Sequence, residues 1–167
     1  LLLRMLREGY EIEAAHCNFQ LRGEESERDE RFVRELCEQR GVRLHTVRFN
    51  TRAAAAERHE SIEMAARRLR YEWFDALRRE RKLDYVAVAH HRDDNIETFL
   101  LNLLRGAGIH GLTGMRSERG GVVRPLLETT RAEILQFLES EGQPFVTDST
   151  NADTQYRRNK IRHELLP

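Results

Sequence analysis

Apolar residues in this chain recur at two spacings, and the alternation between them outlines the architecture. The leucines of residues 1–8 with Met5 suit a short helix ended by Gly9. Residues 11–18 (EIEAAHCN) follow as a short strand candidate. A charged loop then leads to a helix opening at Ser26, with Asp29 three residues on as a capping-box partner and Phe32, Val33, Leu36 and Cys37 as its buried stripe. Gly41 ends that helix, and residues 42–49 (VRLHTVRF) alternate with period two, as a half-buried strand does. Ile62, Ala65, Ala66, Leu69, Trp73 and Leu77 then recur at three- and four-residue steps and predict a long amphipathic helix.

The continuous apolar run at residues 85–89 (YVAVA) fits a strand covered on both faces. A helix over residues 94–104 carries Ile96, Phe99, Leu100, Leu103 and Leu104. Gly106, Gly108, Gly111 and Gly114 make the next loop, and residues 122–127 predict a further short strand. Thr130 with Glu133 opens another capped helix, closed by Gly142, and a last helix is expected over residues 153–166. Strands alternating with helices argue for an α/β fold with a mostly parallel sheet. The first helix has no capping residue ahead of it and no initiator methionine, so a preceding part of the protein is expected.

Composition narrows the class. The 167 residues, 40% apolar, suit one core, and no apolar run approaches the ~18 residues of a membrane span. The 28 basic and 28 acidic residues cancel, so a polyanionic partner has to be held by local clusters. Cys17 and Cys37 form no CxxC and no disulfide framework, which fits a reducing cytosol.

Three such clusters stand out. Ligands of open parallel sheets collect beyond the carboxyl ends of the strands, where His90, His91, Arg92, Asp93, Asp94, Asn95, Ile96, Glu97 and Thr98 fall. Helical spacing puts Asp93 and Asp94 on a face with Glu97, a set of hard oxygen ligands suited to Mg²⁺, although aspartates at a helix start also serve as caps. Four of the seven positions from 157 to 163 are Lys or Arg, which suits a phosphate-rich ligand or a solvated helix face. Arg67, Arg68 and Arg70 could clamp phosphates, or line the polar side of their helix. The glycine-rich stretch at residues 105–115 matches neither GxxxxGK[ST] nor GxGxxG and reads as a mobile loop. Cys17 reads as a small buried hydrophobe rather than a nucleophile.

The order and wording of these signals resemble the N-terminal catalytic domain of the tRNA(Ile)-lysidine synthase family, within the PP-loop ATP pyrophosphatases. The resemblance rests on HCNFQLRGEESERDERFV from His16, AARRLRYEWF from Ala65, AHHRDDNIETFLLNLLRGAGIHGLTGM from Ala89, RPLL from Arg124 and DSTNADTQYRRNKIRHELLP from Asp148. It implies a three-layer parallel-sheet fold of the adenine nucleotide alpha hydrolase type, with residues 1–167 a single N-terminal catalytic domain fragment lacking the C-terminal tRNA-binding domains. The implied reaction adenylates the C2 oxygen of the wobble cytidine in the CAU anticodon of tRNA(Ile), and free lysine then displaces AMP. ATP and Mg²⁺ are the implied cofactors, and tRNA(Ile) and L-lysine the partners. The implied setting is cytoplasmic, off the membrane, with room for a homodimer.

Carried over by motif, Asp93, Asp94 and Glu97 become magnesium and lysine-orienting acids with His91 beside them, and Arg67 and Arg70 support the phosphates or the adenylate. Arg157, Arg158, Asn159, Arg162 and His163 fall near the nucleotide or tRNA, and Arg105 near the anticodon. The family's SGGxDS loop and the strand before it are absent from the chain, so this polypeptide alone is expected not to make lysidine. The strands flanking the missing one are expected to lack partners. Two other readings share parts of the pattern: a PP-loop tRNA thiolase, which generally needs paired cysteines, and a noncatalytic tRNA-binding module, for which the neutral overall charge is a poor fit.

Overall fold

The strand nearest the amino terminus, β1 (Ala14–Asn18), pairs in parallel with β2 (Leu44–Arg48), Ala14 opposite Leu44 and Asn18 opposite Arg48. A computed structural model describes residues 1–108, 113–147 and 161. The chain divides into two units, residues 2–86 and residues 87–167 with Leu1.

In the first unit, α1 (Leu2–Arg7) buries Leu3 and stops ahead of Gly9. The helix α2 (Glu24–Gln39) makes the crossover connection that two parallel neighbours need. It starts two residues before the expected capping box. Gly23, at φ 53°, is its N-cap and gives no side-chain bond, while the hydroxyl of Ser26 is buried and accepts from the backbone N–H of Arg22 at 3.2 Å. Asp29 instead accepts from Arg22 Nη2 at 2.7 Å. The charged loop thus folds back on the first turn, which spacing alone did not reveal. Gly41 ends α2 as expected, with Val42 N–H donating to Cys37 O at 2.9 Å.

The region after β2 holds two helices. α3 (Thr51–Arg58) is capped by Asn50, whose Oδ1 accepts from Ala53 N at 3.1 Å, and α4 (Ile62–Glu80) by Ser61, whose Oγ accepts from Met64 N at 3.2 Å. The run TRAAAAER has no large apolar stripe, so periodicity passes over α3. Its alanines are strong helix formers, and that was the available signal.

Three further strands are ordered β3 (Val86–Ala87), β5 (Val122–Val123), β4 (Glu118–Arg119), with β4 and β5 antiparallel. The strands expected at 85–89 and 122–127 are much shorter, and the latter belongs to a hairpin turned at Gly120 and Gly121. Among the described residues strand pairing gives a parallel pair and a three-stranded group with an antiparallel edge, within the α/β class with parallel pairing that was expected. α5 (Arg92–Leu104) and α6 (Arg131–Ser140) complete the α/β arrangement, α6 opening with the expected capping box of Thr130 and Glu133. The helix expected at 153–166 lies outside the described residues. No helix among the described residues is long and apolar enough to cross a membrane.

One ion cluster ties the amino-terminal ends of β1 and β2 to the end of α4. Glu13 accepts from Arg81 Nε at 3.1 Å and Nη2 at 2.9 Å, and lies 2.7 Å from His45 Nε2, with Arg43 at 3.9 Å. The fork of Arg81, together with His45, holds the Glu13 carboxyl down at about 2 against the opposing effect of burial. Replacing Glu13 with Gln should lower stability near neutral pH by roughly 1–2 kcal/mol, the range of a charge-assisted bond partly open to solvent. A carboxyl whose folded pKa is depressed stabilises fully above its unfolded pKa, and that contribution fades as pH falls toward the folded value. Denaturant unfolding of both proteins should thus show a gap constant above about pH 5 that closes between roughly pH 4.5 and 2.

Candidate active site

The carboxyl ends of the parallel pair carry Asn18 and Phe19 from β1 and Phe49 from β2. Asn18 is 2% exposed, and its amide donates to Glu27 at 3.1 Å and to Glu30 at 2.9 Å. Arg48 Nη2 closes the network on the same two acids at 2.7 and 3.1 Å. These donors keep the buried Glu30 ionised, its carboxyl below the usual range chiefly through Asn18. The hydroxyl of Thr51, 1% exposed, donates to Phe19 O at 2.8 Å, and Phe49 N donates to Asn18 O at 2.9 Å. The backbone that presents Phe19 is thereby fixed on both sides.

The ring of Phe19 stacks on Phe49, centroids 5.7 Å apart, and the guanidinium of Arg70 lies 5.1 Å from the Phe19 centroid. Arg67 sits 5.1 Å over Tyr71. The other arginines of α4 are held by acids: Arg68 by Glu60 and Glu72, Arg78 and Arg79 by Asp75. Among the described residues Arg67 and Arg70 have no carboxylate partner. Cys17, on β1, has its thiol pushed up to about 11 by burial, with Arg70 opposing.

In the second unit the first turn of α5 concentrates acidic groups. His91 is the N-cap: its Nδ1 accepts from Asp94 N at 3.4 Å, and Asp94 Oδ2 accepts from His91 N at 3.1 Å. Asp93 Oδ2 accepts from Arg131 N at 2.9 Å, so it serves the start of α6 as well. Glu97, one turn on, is 1% exposed. Asn95 Oδ1 accepts from Met115 N at 2.6 Å and pins the end of the glycine-rich stretch to this turn.

A family model described as a PP-loop domain matches residues 1–167. The chain belongs to the PP-loop domain family. It is 59% identical to the tRNA(Ile)-lysidine synthase of Bacteroides thetaiotaomicron, across 99% of this chain and 39% of that protein. Identity to the tRNA(Ile)-lysidine synthase of Porphyromonas gingivalis is 56%, across 99% and 37%, and to that of Chlorobaculum tepidum 47%, across 92% and 46%. The chain thus spans about two fifths of the length of these curated relatives. The U34-tRNA thiolase NcsA from Methanococcus maripaludis, solved with its [4Fe-4S] cluster, superposes with a TM-score of 0.74 at 16% identity, over 98% of this chain and 61% of that one. That likeness establishes the fold.

Within this PP-loop domain the expected site residues separate by position. Arg67 and Arg70 lie on α4 of the first unit, and His91, Asp93, Asp94 and Glu97 share the start of α5 in the second. Arg105 is the C-cap of α5 and exposed. Arg157, Arg158, Asn159, Arg162 and His163 lie outside the described residues. No three His, Cys, Asp or Glu side chains among the described residues are placed to hold a metal ion, so Asp93, Asp94 and Glu97 are not a ready-made cage. Magnesium is commonly bound by one or two carboxylates together with substrate phosphates, and the chemistry of Asp93 and Asp94 fits that mode.

Sequence reasoning passed over Phe19 and Phe49, and named Asn95 within the α5 segment without giving it a role. The aromatic residues each follow directly on a strand, the position where ligands gather, and that was the readable signal. The bond of Asn95 to Met115 had no such signal, because the partner lies 20 residues away.

Gly114 shows how tightly Asn95 holds its target. At φ +67° it occupies the left-handed region, and a Cβ there would come within 2.6 Å of Asn95 Oδ1. Gly114→Ala should cost about 2 kcal/mol, from left-handed strain together with a weakened Asn95 bond to Met115. Asn95→Ala should remove most of the steric part, so the double variant in thermal unfolding should lose less than the sum of the two single changes.

Proposed function

We propose that this PP-loop domain is the ATP-using part of a tRNA(Ile)-lysidine synthase, an ATP-dependent carbon–nitrogen ligase. The carrying observation is 59% identity across 99% of the chain to a protein of that name. The residues support the chemistry. Forming the adenylate joins the C2 oxygen of the wobble cytidine to the α-phosphorus and expels pyrophosphate, so negative charge has to be met by fixed donors. Arg67 and Arg70 are cations without acidic partners among the described residues, and Arg70 stands at strand carboxyl ends, where phosphates are commonly met.

In the second step the ε-amine of free lysine attacks C2 and AMP departs with the former C2 oxygen. The acids of α5, Asp93, Asp94 and Glu97, are the groups to orient a lysine head, and His91 holds Asp94 in place through their reciprocal cap. Magnesium, when bound, neutralises phosphate charge, and Asp93 or Asp94 would hold it jointly with the phosphates. On this reading Arg105 and the basic residues Arg157, Arg158 and Arg162, with Asn159 and His163, serve tRNA or nucleotide binding. Sulfur delivery is disfavoured by the two cysteines themselves, Cys17 pushed up to about 11 by burial and Cys37 2% exposed, since transfer chemistry needs an accessible thiolate.

Asp94→Asn in the full-length protein tests the assignment. Asparagine is isosteric and can still accept from His91 N, so the helix start survives while the charge is lost. Lysidine formation, followed by AMP release with ATP, lysine and the CAU tRNA, should fall by about tenfold or more with little change in Tm. Undiminished lysidine formation by the variant would remove Asp94 from the site. A wild-type nucleoside whose mass shows added sulfur rather than lysine would overturn the reaction class.

A further inference from the structure

The two ways in which α4 holds its arginines have different consequences for a ligand. A guanidinium carries its five N–H donors in its plane, at the edge, while its two faces are apolar and stack on aromatic rings. A carboxylate partner occupies the edge, as Glu60 and Glu72 do for Arg68 and Asp75 does for Arg78 and Arg79. An aromatic partner stacked on a face leaves the edge available. Arg70 has an aromatic partner, its Cζ lying 5.1 Å over the Phe19 ring, and Phe19 is backed by Phe49 at 5.7 Å. The backbone under Phe19 is anchored by Thr51 Oγ1 at 2.8 Å, and its neighbour Asn18 by Glu27 and Glu30. The stack therefore rests on buried hydrogen bonds and not on a loose loop.

We propose that Phe19 is a positioning residue: its ring, backed by Phe49, holds Arg70 by the face so that the guanidinium edge is presented to the phosphate oxygens of a nucleoside triphosphate. This rests on the ATP-using reading given above and adds to it the residue that aims the cation. An acid at position 19 would hold Arg70 equally well and fill the donors that phosphate needs. An aromatic ring holds it without competing.

The decisive measurement is a double-mutant cycle on the full-length protein, reading ATP affinity by titration calorimetry and the separate KM values for ATP and lysine. Phe19→Leu keeps apolar volume and loses the ring quadrupole, and it should weaken ATP binding about three- to tenfold, the range of a partly desolvated cation–π contact. The KM for lysine and the Tm should stay near wild type, and Phe19→Tyr should restore ATP affinity. In an Arg70→Ala background Phe19→Leu should have no further effect. Unchanged ATP affinity in Phe19→Leu, or an equal loss with and without Arg70, overturns the positioning role while leaving the ATP-using reading intact. A wild-type protein that binds no ATP overturns that reading and this proposal together.

Discussion

A buried amide at the end of a strand sets the terms for the first unit. Asn18 is 2% exposed, and a polar group so placed is costly unless each of its bonds is made. Its NH₂ meets Glu27 and Glu30, its Oδ1 accepts from Gln20 N, and its carbonyl accepts from Phe49 N. Those bonds join β1, β2, α2 and the loop that leaves β1. They also force Gln20 into the left-handed region at φ 54°, an uncommon place for a residue with a side chain. The bend turns the chain away from the strand direction at the point where Phe19 meets Arg70. Among the described residues the largest fully buried side chains, Glu97, Asn18, Thr51 and Cys37, are mostly polar, so the specificity of the fold rests on satisfied hydrogen bonds as much as on apolar packing.

The second unit solves a related problem at helix starts. The first N–H groups of a helix lack partners within it and attract negative charge. Asp94 answers the start of α5 through His91, and Asp93 reaches across to Arg131 N at the start of α6. Arg92 N donates to Thr129 O, which ties the same two helices again. The acids that read as candidate ligands are therefore also structural caps. The two roles are compatible because an ionised carboxylate accepts up to about four bonds. A carboxylate already oriented by a backbone N–H loses less freedom when a cation arrives.

Much of this was legible in the chain. The stops at Gly9, Gly41 and Gly142, the Thr130 and Glu133 capping box, the stripe of α4 and the α/β class all follow from local chemistry that one window of sequence contains. What escaped depended on distant partners. The opening of α2 was misplaced because Arg22, seven residues before Asp29, draws that acid off the expected cap. The strands at 86–87 and 122–123 are short because their length is fixed by pairing across the sheet, which a hydrophobic run does not encode. In the site, residue types pointed to the acids and arginines, but nothing in AARRLR distinguishes Arg68, bound by Glu60 and Glu72, from Arg67 and Arg70, which lie on rings.

That distinction bears on how a neutral protein meets a polyanion. With 28 basic and 28 acidic residues there is no global field to concentrate phosphate, and most arginines of α4 have their charge matched locally by Glu60, Glu72 and Asp75. Local matching lowers self-repulsion along an arginine-rich helix and leaves contrast where matching is withheld. Holding the exceptions on aromatic faces keeps them ordered without neutralising them, since the attraction of a cation for a ring moves no charge onto the pair. A cation that is ordered, unneutralised and set at the carboxyl end of parallel strands has little left to reorganise when an anion arrives. Preorganisation of that kind is what makes electrostatic stabilisation effective in a site partly open to water.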